Sequence, residues 1–598
     1  MTLSSRRVQI AGFFAFLLVV DWVLYFRHAA HFFQGDTVFL LQHRWSSLSG
    51  YLKEFVALNP SGWYRPLANE LIESILYPFA GLNPVAYRLP VYIAFIGVSA
   101  GVYALAFAVT RRHLVAVIAA FFFSINTACA YATYDLGFMP ELQYAFFYIF
   151  AIVAFLRYYE DESKMAYRLS LVFFVGSLLS KEAAVTLPGT LFVAGIICGQ
   201  GSPKFKNRLI RTARLLIPHV VILVLYLAVA VGYLHVQGVM VTKLLDKSQA
   251  PMPGDYTPLI TAGMFKNADL GFTWAFNIPR EWWGQWQHLS PTLISYLKFF
   301  RALMLVLMLL ALVTAKRKAI LFGVAMFWIA LVPALPLVTH FLPYYVFLPM
   351  AGLALAVGMG SVWLYDFLSR FRPALGGLVI VLIFGSHLYV TSRGIRENIR
   401  SNPLLGGSAT LASITLSDLK ILYPTLPPDV TLYFADIEDP LAWPHSTGGL
   451  IKMAYGTDRL TALYQSQGDA LNIDARPLTI LGLHNRHLID ETATYRSNPL
   501  QLLKYANSDL KLHLSTSEVH AGQGKYTLTI EGLSDTPVRV AYRINGGRLE
   551  LFTTRVNADG EVTFDVSPQT RKGVYQFVAF RLLDRDEWIR TDQTLIVR

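Results

Sequence analysis

The spacing of the apolar residues limits what this chain can fold into more than any other feature. From Val8 to about residue 392 they come in long blocks, and beyond that the sequence reads like an ordinary soluble protein. A bilayer crossing takes about 20 mainly apolar residues. Eleven stretches are candidates, the fifth and sixth of them short: 8–27, 89–110, 114–133, 142–159, 166–180, 183–199, 215–235, 296–315, 319–338, 344–368 and 374–392. Only 15% of the 598 residues are charged and 54% are hydrophobic, whereas a soluble domain is about 25% charged. The pattern predicts a polytopic α-helical membrane protein. The first block follows Arg6-Arg7, is long for a signal peptide and has no small-x-small cleavage site, so it reads as an uncleaved span.

Charge assigns the sides. With eleven spans and a cytoplasmic N-terminus, the inner loops hold Arg6, Arg7, Arg111, Arg112, Arg157, Lys164, Arg168, the basic run from Lys204 to Arg214, Lys316–Lys318, Arg370 and Arg372. The short outer loops at 134–141 and 339–343 hold no Lys or Arg. Fusing the fifth and sixth spans across Ser180-Lys181-Glu182 would put Lys316–Lys318 outside, against the positive-inside rule. The net charge of +12 is thereby read as membrane topology, and no nucleic-acid partner is expected. Cys129 and Cys198 both lie in apolar blocks, so neither a disulfide framework nor a zinc or redox motif is present.

On this topology the outer face receives two long loops (28–88 and 236–295) and everything after 392. The membrane domain covers 1–392. Residues 393–507 look α/β, with a strand-like VTLYFADI at 430–437 and helical stretches at 408–422 and 446–465. Residues 508–598 alternate in the manner of antiparallel strands and predict a β-sandwich of immunoglobulin size.

Ionisable groups gather at the outer rim. Asp36 lies in HFFQGDTVF, Arg65 in WYRPL, Asp135 and Glu141 in TYDLGFMPELQ, Lys181 and Glu182 in one tight turn, and His340 in LVTHFLPYY. Loop ends are wet, and any one of these charges could be a solvated turn residue. Together they offer acids and cations at one membrane depth, where a charge within a span would cost about 2.5–3.5 kcal/mol. Asp21, inside VVDWVL, stands apart and reads as a bundle-pairing residue.

The order of these pieces resembles the GT-C membrane glycosyltransferases, closest to the O-mannosyltransferase-like branch that includes the tetratricopeptide-repeat mannosyltransferases. The resemblance rests on GD at 35–36, YRPL at 64–67, NPVAYRL at 83–89, Glu141, SKE at 180–182 and HFLPYYVFLPMAGLAL at 340–355, and covers about residues 1–392. The sequence departs from the family in having a solitary acid at QGDTV, only His340 near FLPYYVFLP, and no tetratricopeptide repeats. The segment VHAGQGKYTLTIEGL is similar to immunoglobulin-like modules of bacterial surface proteins.

The resemblance implies inverting transfer of a sugar from a polyprenyl-phosphate donor to an extracytoplasmic protein, lipid or glycan acceptor. Asp36 would be the general base. Arg65 and Lys181 would hold the phosphate, with His340 and Arg280 in reserve, and Glu182 and Glu141 would orient Lys181 or a substrate hydroxyl. It also implies a multi-pass protein of the inner (plasma) membrane, in contact with membrane lipid, with a periplasmic C-terminus. No metal site or D-x-D is legible, so no cofactor is expected, although a divalent ion stays open. Three other readings stand beside it. One is a ligase or polymerase of lipid-linked glycans, using Arg280 and WWGQWQH at 282–288. The others are a transporter and an envelope assembly scaffold.

Overall fold

A computed structural model describes residues 3–33, 35–45, 47–53, 55, 64–68, 71–199, 205–236, 259–280, 289–314, 317–338, 340–436, 440–467, 477–497, 512–515, 518–520, 524–530, 537–544, 549–555, 557, 559, 561–566, 573–581 and 587–597. In chain order the helices are α1 (Leu3–Leu24), α2 (Gly35–Gln42), α3 (Leu48–Lys53), α4 (Leu71–Ala80), α5 (Pro84–Thr110), α6 (His113–Ser124), α7 (Thr127–Tyr134), α8 (Met139–Asp161), α9 (Lys164–Ser180), α10 (Leu187–Ile197), α11 (Phe205–Val236), α12 (Gly263–Trp274), α13 (Pro291–Leu312), α14 (Arg317–Leu331), α15 (Pro349–Ser369), α16 (Pro373–Ser401), α17 (Ser408–Leu422), α18 (Gly449–Tyr455) and α19 (Thr492–Ser497). The chain divides into two compact units. One comprises Met1–His31 with His43–Gly406, the other Phe32–Gln42 with Gly407–Arg598.

The first unit is helical. A helix lies in each of the eleven predicted stretches. Among the described residues, eight helices are long and apolar enough to cross a membrane by length and composition, or nine if the bent pair α6–α7 is one span. The predicted fifth and sixth spans are shorter: α9 has 17 residues, and the apolar stretch at Glu182–Ile197 also falls below the length of the others.

The predicted third span is broken by 67° between α6 and α7. Inside a bilayer a break is tolerated only if the freed backbone groups find partners, and here they do. Asn126 Oδ1 accepts from Ala128 N at 2.8 Å, and Asn277 Oδ1 accepts from both Thr127 N (2.7 Å) and Thr127 Oγ1 (3.0 Å). The Tyr25 hydroxyl bonds to the carbonyls of Ser124 (2.5 Å) and Asn126 (3.0 Å). Asp21, fully buried on α1, faces the Ser124 hydroxyl at the same break.

α14 and α15 cross with almost no space between their backbones. A Cβ on Gly323 would come within 2.4 Å of the Gly352 carbonyl, and one on Gly352 within 2.5 Å of the Gly323 carbonyl. Paired small residues of this kind let membrane helices approach where no hydrophobic force drives them together.

The second unit opens with α/β structure. Strands β1 (Thr431–Ala435), β2 (Thr461–Tyr464), β3 (Leu478–His484) and β4 (His487–Asp490) form a sheet in the order β2-β1-β3-β4. β1 runs parallel to β2 and β3, and β4 returns antiparallel to β3. Leu432 and Phe434 face one buried cluster while Tyr433 and Ala435 face another, so β1 is covered on both sides as a central parallel strand should be. The helix predicted over 446–465 is shorter. It stops at Gly456, in the left-handed region at φ 63°, and Thr461–Tyr464 becomes β2 instead.

Among the described residues from 512 on there are two further sheets. They are built from β5 (Leu512–Leu514), β6 (Glu518–Val519), β7 (Gly524–Ile530), β8 (Pro537–Ile544), β9 (Leu549–Arg555), β10 (Glu561–Val566), β11 (Gly573–Arg581) and β12 (Glu587–Val597). Their orders are β10-β7-β5 and β6-β12-β11-β8-β9. All pairings are antiparallel except β6 with β12.

α2 belongs to this second unit although it lies in the first predicted outer loop. It packs with its glycine against the loop after β1, where a Cβ on Gly35 would come within 2.3 Å of the Trp443 carbonyl. Gln42, at its other end, lies against Gly449.

Asp436 closes the carboxyl end of β1. Fully buried, it accepts from Leu441 N (2.6 Å), Ser466 N (2.9 Å) and Ser466 Oγ (2.8 Å). Burial pushes its carboxyl up to about 6, those hydrogen bonds pulling the other way. Between about pH 4 and 6 the folded state therefore holds more protons than the unfolded one. Stability should fall as pH rises through that window, by on the order of 3 kcal/mol. Rate-corrected amide exchange of Thr431–Ala435 should speed up accordingly from pH 4.5 to 7, and Asp436→Asn should remove that slope.

Candidate functional site

The predicted turn at Lys181-Glu182 forms where α9 ends. Lys181 leaves the helix in an extended conformation (φ −160°, ψ 138°), and a short 3-10 turn, Glu182–Thr186, leads into α10. The two adjacent side chains go to different partners. Lys181 turns inward and pairs with Glu141, in the first turn of α8; both side chains are only 5% exposed. Glu182 turns outward and takes both arms of the Arg65 guanidinium, Nε at 2.9 Å and Nη2 at 2.7 Å. That pair is more open, with Arg65 16% and Glu182 45% exposed. Leu67 N donates to Leu179 O at 3.2 Å, which fastens the YRPL segment to the last turn of α9.

Three tyrosines wall the ammonium group. Lys181 Nζ lies 5.5 Å from the ring centre of Tyr144, 5.6 Å from Tyr344 and 5.2 Å from Tyr345. Cation–π attraction at such distances contributes about 0.5–2 kcal/mol each, more where water is excluded. The Phe138 ring lies 5.4 Å from Tyr344, so the turn between α7 and α8 contributes a wall as well as Glu141. Glu141 Oε2 is buried and has no hydrogen-bond partner among the described residues.

The structure thus brings together Arg65, Glu141, Lys181 and Glu182, drawn from three separate segments of the first unit. His340 stands one residue further out, its Nε2 at 3.4 Å from the Tyr344 hydroxyl. Arg280 forms an ion pair with Asp269, and its carbonyl accepts from Trp274 Nε1 at 3.0 Å. The Trp274 ring stacks on Phe341 (5.3 Å), and Phe341 stacks on Tyr345 (6.0 Å). Asp36 lies in the first turn of α2, in the second unit. Residues 282–288 lie outside the described residues. Among those described, no group of three or more His, Cys, Asp or Glu side chains could hold a metal ion.

The tyrosines are what sequence reading passed over. Tyr144 follows Glu141 by three residues and so shares its helix face, and Tyr344-Tyr345 lie in the motif that contains His340. Helical spacing from Glu141 would have pointed to the first.

No protein-family model and no curated protein matches the sequence. Several solved structures are similar at low identity. The oligosaccharyltransferase of Archaeoglobus fulgidus in its apo form is 14% identical, over 77% of this chain and 65% of its own length, with a TM-score of 0.41. The archaeal oligosaccharyltransferase AglB from the same organism, in complex with an inhibitory peptide and a dolichol-phosphate, is 11% identical over 99% of both chains, with a TM-score of 0.42. ArnT from Cupriavidus metallidurans, bound to undecaprenyl phosphate, is 13% identical over 85% of this chain and 96% of its own, with a TM-score of 0.43. Likeness at this level leaves function to be argued from the residues.

The two ion pairs differ in what their loss should do. Removing one partner of a buried pair strands the other charge and costs about 3–5 kcal/mol, whereas an exposed pair contributes about 0–1 kcal/mol. Lys181→Met and Glu141→Leu should each lower the melting temperature sharply, and the double variant should recover most of that loss. Arg65→Gln should hardly shift it. A double-mutant cycle by thermal unfolding in one detergent reads the coupling, and additive effects at 181 and 141 would refute it.

Proposed function

We propose that this protein is a membrane glycosyltransferase that moves a sugar from a polyprenyl phosphate to an extracytoplasmic acceptor, with inversion at the anomeric carbon. The observation that carries this reading is the meeting of Arg65, Glu141, Lys181 and Glu182 in one polar cluster on a scaffold of apolar helices. The motif order described above supports it. The proposed topology has eleven spans, the N-terminus in the cytoplasm and the C-terminal region outside, including an immunoglobulin-like module after residue 508.

In the proposed reaction the bond from the anomeric carbon to the phosphate oxygen breaks and its electron pair leaves with the phosphate. The acceptor oxygen bonds to that carbon from the opposite face and gives its proton to Asp36. Asp36 stands in the first turn of α2. The four rim charges sum to zero, so a phosphate must exchange with a resident carboxylate. The half-open Arg65–Glu182 pair can do this at far lower cost than the buried one. Arg65 is therefore assigned as the phosphate contact, with its planar fork matched to phosphate oxygens. Lys181 is assigned a positioning role through the tyrosine wall, and Glu141 holds Lys181. His340 and Arg280 act through Tyr344 and Trp274.

A positioned general base contributes about 10²–10⁴-fold. Asp36→Asn should reduce the glycan product at the cell surface by that order, measured by mass spectrometry of surface glycans, while binding of undecaprenyl phosphate in nanodiscs stays intact. Arg65→Gln should weaken that binding. Unchanged surface glycans in Asp36→Asn would favour the scaffold reading.

A further inference from the structure

We propose that Arg27, His28, His31 and Arg396 form a separate site for a phosphate-class dianion at the end of α1. Its geometry is a directed chain of hydrogen bonds. Arg27 Nε donates to His28 Nε2 at 3.0 Å. An arginine cannot accept, so His28 carries its proton on Nδ1, which lies 3.3 Å from His31 Nε2. His31 in turn carries its proton on Nδ1, 3.1 Å from the Tyr134 hydroxyl. The first two links require His28 Nε2 and His31 Nε2 to be acceptors, so both imidazoles are neutral.

The surroundings are cationic. The charged groups acting on His28 are Arg27 in its own turn, Arg88 on α5 and Arg396 on α16, besides His31; those acting on His31 are Arg88 and Arg27. Arg88 is buried and donates to the carbonyls of Tyr134 (2.7 Å), Ala29 (2.7 Å) and His31. Two acids directly adjoin Tyr134 and Arg396 in sequence. Asp135 is buried and accepts from Leu136 N at 2.7 Å, and Glu397 follows Arg396 on α16. Arg27 and Arg396 are exposed. In the Lys181 cluster each cation is paired with a carboxylate.

Burial, followed by these positive neighbours, holds the His28 imidazole down at about 4. A bound dianion supplies a counter-charge and draws a proton onto His28 Nε2. That proton displaces the Arg27 hydrogen bond and frees the guanidinium to contact the same anion. Binding is thus coupled to proton uptake, and affinity rises as pH falls. The ligand's phosphate could come from solution or from a lipid headgroup. This site stands independently of the reaction proposed above, because it is read by binding and not by turnover.

Sulfate, which stays a dianion between pH 5.5 and 7.5, is the probe for the full-length protein in detergent. Calorimetry should show binding about tenfold tighter at pH 5.5 than at 7.5, and a loss of at least tenfold in Arg27→Gln/Arg396→Gln. Both substitutions are at exposed positions, and the melting temperature of the variant confirms that it is folded. The pH-dependent sulfate binding should persist in Arg65→Gln and be lost in Arg27→Gln/Arg396→Gln, which separates the two sites. Nanodiscs of phosphatidylcholine with and without phosphatidic acid, read by native mass spectrometry, distinguish the sources. Retention of phosphatidic acid lost in the double variant, without sulfate binding, assigns a headgroup, and sulfate binding assigns a soluble anion. The proposal is overturned if neither ligand binds, if the double variant binds both as before, or if sulfate affinity does not change with pH.

Discussion

A lysine and a glutamate taken out of water together can stay charged only if they stay together. Lys181 and Glu141 meet that condition, and much of the first unit's local geometry follows from it. The pair fixes the end of α9 against the start of α8. It obliges the next residue to face the other way, so Glu182 is presented to Arg65. It also gives three tyrosine rings a positive charge to surround. Two charges of opposite sign side by side in sequence thereby serve as a branch point between a sealed interior pair and an accessible one.

Much of this was legible in the sequence because the causes are local. Apolar blocks long enough to span a bilayer became helices, and the Ser180-Lys181-Glu182 interruption became a turn. The convergence of Arg65, Glu141, Lys181 and Glu182 was readable from the charges at the rim. Other features depend on partners far along the chain. The break at Asn126 looks like a continuous span because the residue that satisfies it, Asn277, is 150 positions away. Which acid takes which cation cannot be read from spacing, since either glutamate could have paired with either base. The allocation of α2 to the second unit rests on contacts with Trp443 and Gly449, some 400 residues distant.

The first unit holds two kinds of polar cluster with opposite bookkeeping of charge. One is internally neutral, each cation being paired with a carboxylate. The other is a chain of neutral imidazoles under the influence of arginines, where the anion proposed above would bind. The segment from Tyr134 to Glu141 touches both. Tyr134 closes the histidine chain, and Phe138 and Glu141 enclose Lys181.

The seating of Gly35 on the Trp443 carbonyl has a practical meaning for anyone recombining this protein with another. A chimera made by exchanging everything after Gly407 would leave residues 32–42 facing a surface they were not shaped for. The unit is discontinuous in sequence: α2 and the distant α/β fold must be transplanted as one piece.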